Sequence, residues 1–271
     1  MVKEALNAIV TQKIEVTPEL IILQVRPDGW ELPDFEPGQF AVLGLKGSAP
    51  RTPWADPEEV LPDPDRLIRR AYSIASSSVA KEYMEFYVIL VRDGALTSRL
   101  FALEMGEPIW LGKKVSGMFT LDEVPKGKHV VLAATGTGLA PYMSMLRTHL
   151  PHDGGRLYAV LHGARHSWDL GYRSELNTMQ QLCDNFTYIP LISRPANEPV
   201  PWGGLTGYVQ DLWTGGELDK EWGMRPTPSD THVFLCGNPN MCEDMLALLD
   251  KEGFQEHTRK VPGEVHVERY W

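Results

Sequence analysis

Four consecutive residues, Arg70-Ala71-Tyr72-Ser73, carry the groups that one extended ligand would need. Arginine offers a fork of donors matched to a diphosphate. Tyrosine offers a flat face on which a planar ring can stack, and serine a small donor near that ring's edge. The string is read at the start of a strand, beside Ile74, and an ordinary sheet would also account for it. A second group is Ala134-Thr135-Gly136-Thr137-Gly138-Leu139-Ala140-Pro141. It follows an apolar run and opens a helix, so backbone N–H groups without helical partners would point at an approaching anion. Its glycines permit close main-chain approach, and Pro141 suits a first helical turn. It is neither a Gly-x-Gly-x-x-Gly fingerprint nor a loop ending in Gly-Lys-Ser/Thr, and a plain strand-to-helix turn is the alternative. The third group, Cys236-Gly237-Asn238-Pro239-Asn240-Met241, also stands between a strand and a helix. Ligands of parallel sheets gather at the carboxyl ends of strands, so Thr137 and Cys236 could face one crevice. No histidine is placed to activate Cys236 as a nucleophile, and a buried core thiol is its other reading.

The elements that must position these groups come in two styles, joined near residue 125. In the first, short strands at Ile21–Val25, Gln39–Leu43 and Met84–Leu90 are punctuated by Pro27-Asp28-Gly29 and Arg92-Asp93-Gly94. Short strands with tight turns predict a small antiparallel β-barrel over 1–125. In the second, strands at Val130–Ala134, Leu157–Leu161, Phe186–Ile192 and Val233–Cys236 alternate with helices at Tyr142–Leu150, Ser174–Cys183 and Pro239–Asp250. That alternation predicts a Rossmann-like α/β domain with a parallel sheet over 126–271. Residues 48–69, with five prolines, read as an exposed excursion just before Arg70.

Composition narrows the classes. The chain has 271 residues, 43% hydrophobic and 23% charged, which fits a globular protein with room for two domains. The start shows no secretory pattern, and no run of about 18 apolar residues predicts a membrane span. Three cysteines, Cys183, Cys236 and Cys242, are too few for a disulfide framework or the thiolates of an iron–sulfur cluster. A net charge of −10 argues against nucleic-acid binding. The expectation is a cytoplasmic monomer without a metal site.

The order and separation of the three groups, with Gly94-Ala95-Leu96-Thr97 and a terminal Tyr270-Trp271, resemble the ferredoxin/flavodoxin–NADP reductase family, bacterial branch, over nearly the whole chain. The resemblance implies a β-barrel that binds FAD and an α/β domain that binds NADP. Arg70 would hold the FAD diphosphate, with Ala71 beside it. Tyr72 would stack on the isoalloxazine and Ser73 lie near its N5. Tyr87, Ala95, Leu96 and Thr97 match positions around the ribityl and phosphate region. Thr137 would touch both flavin and nicotinamide, and Cys236 and Glu268 would flank the nicotinamide. Tyr270 and Trp271 would cover the flavin or stack on its adenine. The catalytic set implied is Ser73, Cys236 and Glu268. Ala164-Arg165 and Ser193-Arg194 match two positions that grip the NADP 2′-phosphate, whereas Tyr208 stands where close relatives carry arginine. The implied activity moves hydride from NADPH to FAD and single electrons to ferredoxin or flavodoxin. An NAD(P)H-dependent flavin reductase, an oxygenase reductase component and a non-catalytic nucleotide-binding regulator are the competing readings. Joint retention of Tyr72, Ser73, Cys236 and Glu268 speaks against the last.

Overall fold

The computed structural model describes residues 5–269. Its N-terminal unit runs to Thr120 and also takes in Met143–Thr148; the C-terminal unit comprises Leu121–Tyr142 and everything from His149 on.

The N-terminal unit contains β1 (Ala8–Thr17), β2 (Leu20–Pro27), β3 (Phe40–Lys46), β4 (Leu67–Ser73), β5 (Met84–Ile89), the short α1 (Thr97–Leu100) and β6 (Pro108–Leu111). The sheet order is β4-β3-β6-β1-β2-β5, and every pairing is antiparallel. Its outer strands meet: Ile74 bridges Phe86, and the Ala75 N–H donates to the Glu85 carbonyl at 2.7 Å. A six-stranded sheet is thereby drawn into a barrel, which removes exposed strand edges. Inward-facing side chains follow the two-residue strand period: Ile21, Leu23 and Val25 on β2, Ala41, Leu43 and Leu45 on β3, Phe86 and Val88 on β5. Each such aliphatic or aromatic side chain taken from water contributes roughly 1.5–3 kcal/mol.

The C-terminal unit contains β7 (His129–Thr135), the two ends of α2 (Ala140–His149), whose Met143–Thr148 group with the N-terminal unit, β8 (Tyr158–Ala164), α3 (Arg173–Leu182), β9 (Phe186–Ile192), β10 (Leu205–Thr206), α4 (Val209–Thr214), α5 (Glu217–Trp222), β11 (Thr231–Cys236), α6 (Pro239–Lys251) and β12 (Val265–Glu268). The order is β10-β9-β8-β7-β11-β12, all parallel. The central strands β7 and β11 are covered on both faces, which is why Val130–Ala134 reads as an unbroken apolar run.

Two expectations need correction. The Arg70–Ser73 string ends β4 rather than starting a strand, and Leu67–Arg69, assigned to the excursion, belong to that same strand. Seven-residue pairing with β3 extends the sheet past the point where the prolines stop. No described helix is long and apolar enough to cross a membrane.

Candidate cofactor and nucleotide sites

On β4, Arg70 pairs with Leu43, Ala71 with Val42, Tyr72 with Ala41 and Ser73 with Phe40. Strand alternation sets Arg70 and Tyr72 on one face. Arg70 is exposed, and its Nη1 donates to the Arg69 carbonyl at 2.7 Å. The rest of its guanidinium has no hydrogen-bond or ion-pair partner among the described residues. Tyr72 is half-buried, edge-on to Phe86 at 6.5 Å between ring centroids. Burial raises its phenol well above the usual tyrosine range, against a smaller opposing pull from Arg70, so the ring stays neutral. Ser73 is buried, and Tyr87 on β5 is also buried.

The turn after β5 is built by its own side chains. Thr97 Oγ1 donates to the Val91 carbonyl at 3.0 Å, and Ser98 Oγ donates to the Gly94 carbonyl at 2.8 Å. This fixes Gly94–Leu96 at the entrance of α1, with Leu96 buried below. A Cβ on Gly94 would come within 2.7 Å of Thr97 Oγ1, so the turn requires glycine. Ala95 and Arg70 share a cavity of about 640 Å³ with Arg66, Arg69, Pro62 and Asp63. Three guanidiniums against one carboxylate make a donor set suited to a diphosphate, and the volume lies within the range of about 300–1,000 Å³ typical of cofactor pockets. The residues present therefore fit the phosphate-bearing part of FAD.

In the C-terminal unit, the carboxyl ends of β7, β11 and β12 lie side by side, with Ala134 opposite Cys236 and Cys236 opposite Glu268. A tight turn at Gly136–Leu139 leads β7 into α2 and carries Thr137, which is half-buried. The β7 and β11 loops touch through main chain. A Cβ on Gly138 would lie 2.3 Å from the Cys236 carbonyl oxygen, and one on Gly237 would lie 2.3 Å from Thr135 Oγ1. The Asn238 N–H donates to Thr135 Oγ1 at 2.7 Å, and Asn238 caps α6 by accepting from the Asn240 and Met241 N–H groups. Cys236 is 0% exposed, while Glu268 is half-buried.

The two Arg-bearing dipeptides run side by side beyond β8 and β9. The Ser193 N–H donates to the Ala164 carbonyl and the Arg194 N–H to the Arg165 carbonyl, both at 2.9 Å. Arg165 and Arg194 are exposed, and neither guanidinium has a partner among the described residues. Tyr208, 62% exposed, lies at the start of α4, one residue after Gly207, whose N–H donates to the Ile192 carbonyl at 3.0 Å. The fold thus gathers Ala164, Arg165, Ser193, Arg194 and Tyr208 at one end of the sheet. Unforeseen from sequence were two ties between these loops. Ser167 N–H and Oγ donate to the Glu198 carboxylate at 2.8 and 2.6 Å, and Arg173 lies over the Trp202 ring at 4.7 Å. Their partners are some thirty residues apart, so no local pattern announces them. Tyr270 and Trp271, expected to cover the flavin or stack on its adenine, lie outside the described residues.

Residues 132–246 match the oxidoreductase NAD-binding domain model. The chain is 33% identical over 239 residues to the flavodoxin/ferredoxin–NADP reductase of Buchnera aphidicola, covering 88% of each chain. It is 33% identical to the flavodoxin/ferredoxin–NADP reductase of Escherichia coli K12, again covering 88% of each. A crystal structure of a ferredoxin NADP+ reductase from Neisseria gonorrhoeae with bound FAD and NADP superposes with a TM-score of 0.80 at 25% identity, covering 98% of this chain and 99% of that one. The architecture, the ordered motifs and these relatives agree: the chain belongs to the ferredoxin/flavodoxin–NADP reductase family.

Proposed function

We propose that this chain is an FAD-dependent oxidoreductase that takes hydride from NADPH and delivers electrons singly to ferredoxin or flavodoxin. The observation that carries the reading is cationic groups left unspent in an acidic protein. The net charge is −10, yet Arg70 in the N-terminal unit and Arg165 and Arg194 in the C-terminal unit offer guanidinium donors that no carboxylate of the described chain engages. Such forks suit phosphates. FAD, when bound, supplies the exchange between two-electron and one-electron chemistry.

The roles follow the residues. Arg70 and the Gly94–Thr97 turn hold the diphosphate, and Ala71 lets the strand pass close to it. Tyr72 stacks on the ring system, Ser73 lies at its edge, and Tyr87 supports the ribityl side. Thr137 and Glu268 orient the nicotinamide over a floor packed by Cys236. Ala164, Arg165, Ser193 and Arg194 grip the 2′-phosphate beside Tyr208. The role assigned to Tyr270 and Trp271, by resemblance alone, is to cover the flavin or to stack on its adenine. FAD belongs to the N-terminal half and the nicotinamide nucleotide to the C-terminal half of a monomer that works in the cytoplasm, a setting in keeping with three cysteines of which none forms a disulfide.

The test is anaerobic mixing of the flavin-loaded protein with NADPH or NADH, followed by addition of candidate ferredoxins and flavodoxins. NADPH should bleach the flavin absorbance faster than NADH, and at least one carrier should then be reduced. A preparation with no flavin affinity, or one that prefers NADH, refutes the corresponding half.

A further inference from the structure

The connection between β3 and β4 runs from Gly47 to Arg66, far longer than the roughly 2–5 residues a hairpin requires. A chain segment of this length, rich in proline and charge, would ordinarily stand loose from the barrel. Here it is locked down. The Arg99 side chain on α1, 2% exposed, donates from Nη1 to Glu58 Oε1 at 2.7 Å and from Nη2 to Glu58 Oε2 at 3.0 Å. The same guanidinium donates to the carbonyls of Ala95 at 2.6 Å and Gly47 at 2.7 Å. Arg51 Nε donates to Ser98 Oγ at 3.1 Å and lies 3.8 Å from Glu58 Oε1. Main-chain bonds add to this: the Thr52 N–H donates to the Ser98 carbonyl at 2.8 Å and the Asp56 N–H to the Arg92 carbonyl at 2.9 Å. The Arg99 hydrogen bonds outweigh desolvation and hold the Glu58 carboxyl below its usual range, so the lock is charged at neutral pH.

Besides Gly47, the lock grips the Arg92–Arg99 stretch that presents Gly94 and Ala95. Ala95 lines the cavity that holds Arg70, and the returning limb of the same segment contributes Pro62, Asp63 and Arg66 to it. Arg69 is engaged over the Trp110 ring at 4.3 Å. Arg66 is different: its side chain has no hydrogen bond or ion pair among the described residues, although it lines a cavity already rich in cations. Bringing a further guanidinium beside Arg70 is unfavourable for the protein alone and favourable for a ligand with two adjacent phosphates.

We propose that residues 48–66 form a strap that completes the FAD site, that Arg66 is a second diphosphate-binding cation delivered by the strap, and that Glu58 is the positioning residue that locks it through Arg99. The assignment rests on the flavin reading above. It makes the strap a determinant of FAD over FMN, because FMN lacks the diphosphate and adenosine.

The test follows release of flavin from the holoprotein by the rise in flavin fluorescence after dilution, for wild type, Arg66→Ala, Arg66→Lys and Glu58→Gln, each loaded with FAD or with FMN. Arg66→Ala should speed FAD release at least tenfold, with a much smaller effect on FMN, and Arg66→Lys should restore part of it. Glu58→Gln should do the same to FAD through loosening of the strap. The doubly substituted Glu58→Gln/Arg66→Ala protein should be little worse than the worse single variant. Arg66 is exposed, so its variants carry the test should Glu58→Gln fail to fold. Wild-type FAD release in Arg66→Ala, or equal acceleration for FAD and FMN, overturns the strap. A wild-type protein that never retains FAD overturns the flavin reading, and the strap with it.

Discussion

Replacing Gly138 by alanine should damage nucleotide use without loss of flavin. The added Cβ would lie 2.3 Å from the Cys236 carbonyl oxygen, 2.5 Å from its carbonyl carbon and 2.7 Å from the Gly237 nitrogen, all under the 3.0 Å that real Cβ atoms keep. These are main-chain atoms, and the pairing of Ala134 with Cys236 fixes them, so no side-chain rotation relieves the contact. The β7 and β11 loops must part by on the order of 1 Å, and overpacking of this kind costs about 1–3 kcal/mol. A shift of ~1 Å in a positioning loop can cost up to about 100-fold in rate. We expect a fall of at least about tenfold in kcat/KM for NADPH, with flavin content unchanged and a melting midpoint lower by roughly 2–12 °C. Gly136→Ala is the control. Gly136 has φ +55° and nothing within 4 Å of its Cβ position, so alanine there adds only left-handed strain of about 1–2 kcal/mol. It should lower the midpoint comparably and leave kcat/KM within about threefold of wild type. Steady-state dye reduction with thermal melts decides. Wild-type kinetics in Gly138→Ala, or greater kinetic damage in Gly136→Ala, would refute the argument that backbone contact between the loops sets the site.

Arg70→Ala removes a charged fork worth about 1.5–3 kcal/mol per hydrogen bond, so FAD should bind at least tenfold more weakly by about that estimate; unchanged flavin content after gel filtration would count against the diphosphate role. Arg165→Ala or Arg194→Ala should raise KM for NADPH and leave NADH unaffected, while Tyr208→Arg should increase the NADPH-over-NADH ratio severalfold; equal effects on both nucleotides would dissociate this cluster from the 2′-phosphate. His162 is 0% exposed, with Nδ1 3.0 Å from the Tyr188 hydroxyl, and burial lowers its pKa from 6.5 to about 3. The unfolded chain therefore binds a proton that the folded one refuses. This contribution is intact above pH 6.5 and declines by about 1.4 kcal/mol per pH unit as pH falls toward 3. His162→Gln should flatten the fall of the melting midpoint between about pH 6.5 and 5, and an identical slope in wild type and variant would sink that account.

What could be read from the sequence tracks how locally each feature is encoded. Val130–Ala134 and Phe186–Ile192 were legible because strands covered on both faces are apolar at nearly every position. β1 was not, because its burial pattern is broken by register shifts between Val10 and Gln12 and between Glu15 and Thr17, which erase a clean alternation. Helices α4 and α5 were hidden by Gly215 and Gly216, which separate two six-residue segments too short for helical periodicity. The Arg70–Ser73 string showed its donors but not its place at the end of β4, since the excursion before it conceals where the strand begins. The Glu58–Arg99 lock spans 41 residues and exists only once the barrel has closed, so no window of sequence contains both halves.

Burial shifts the ionisable groups Tyr72, Tyr188 and His162. A residue recruited as acid or base at neutral pH should have its pKa moved toward 7. Here burial moves them away: Tyr72 and Tyr188 are raised far above the usual phenol range, and His162 falls to about 3. Each is held neutral, so each offers a ring or a dipole rather than a proton. Direct hydride transfer needs no such proton and depends on holding donor and acceptor atoms in near-attack geometry. The rate of flavin reduction by saturating NADPH should therefore be flat, within about twofold, from roughly pH 6.5 to 8.5. Rapid-mixing kinetics across that window provide the measurement. A bell-shaped profile with an inflection near 7 would mean that a titrating group controls the chemical step, and the positional account of this site would have to be abandoned.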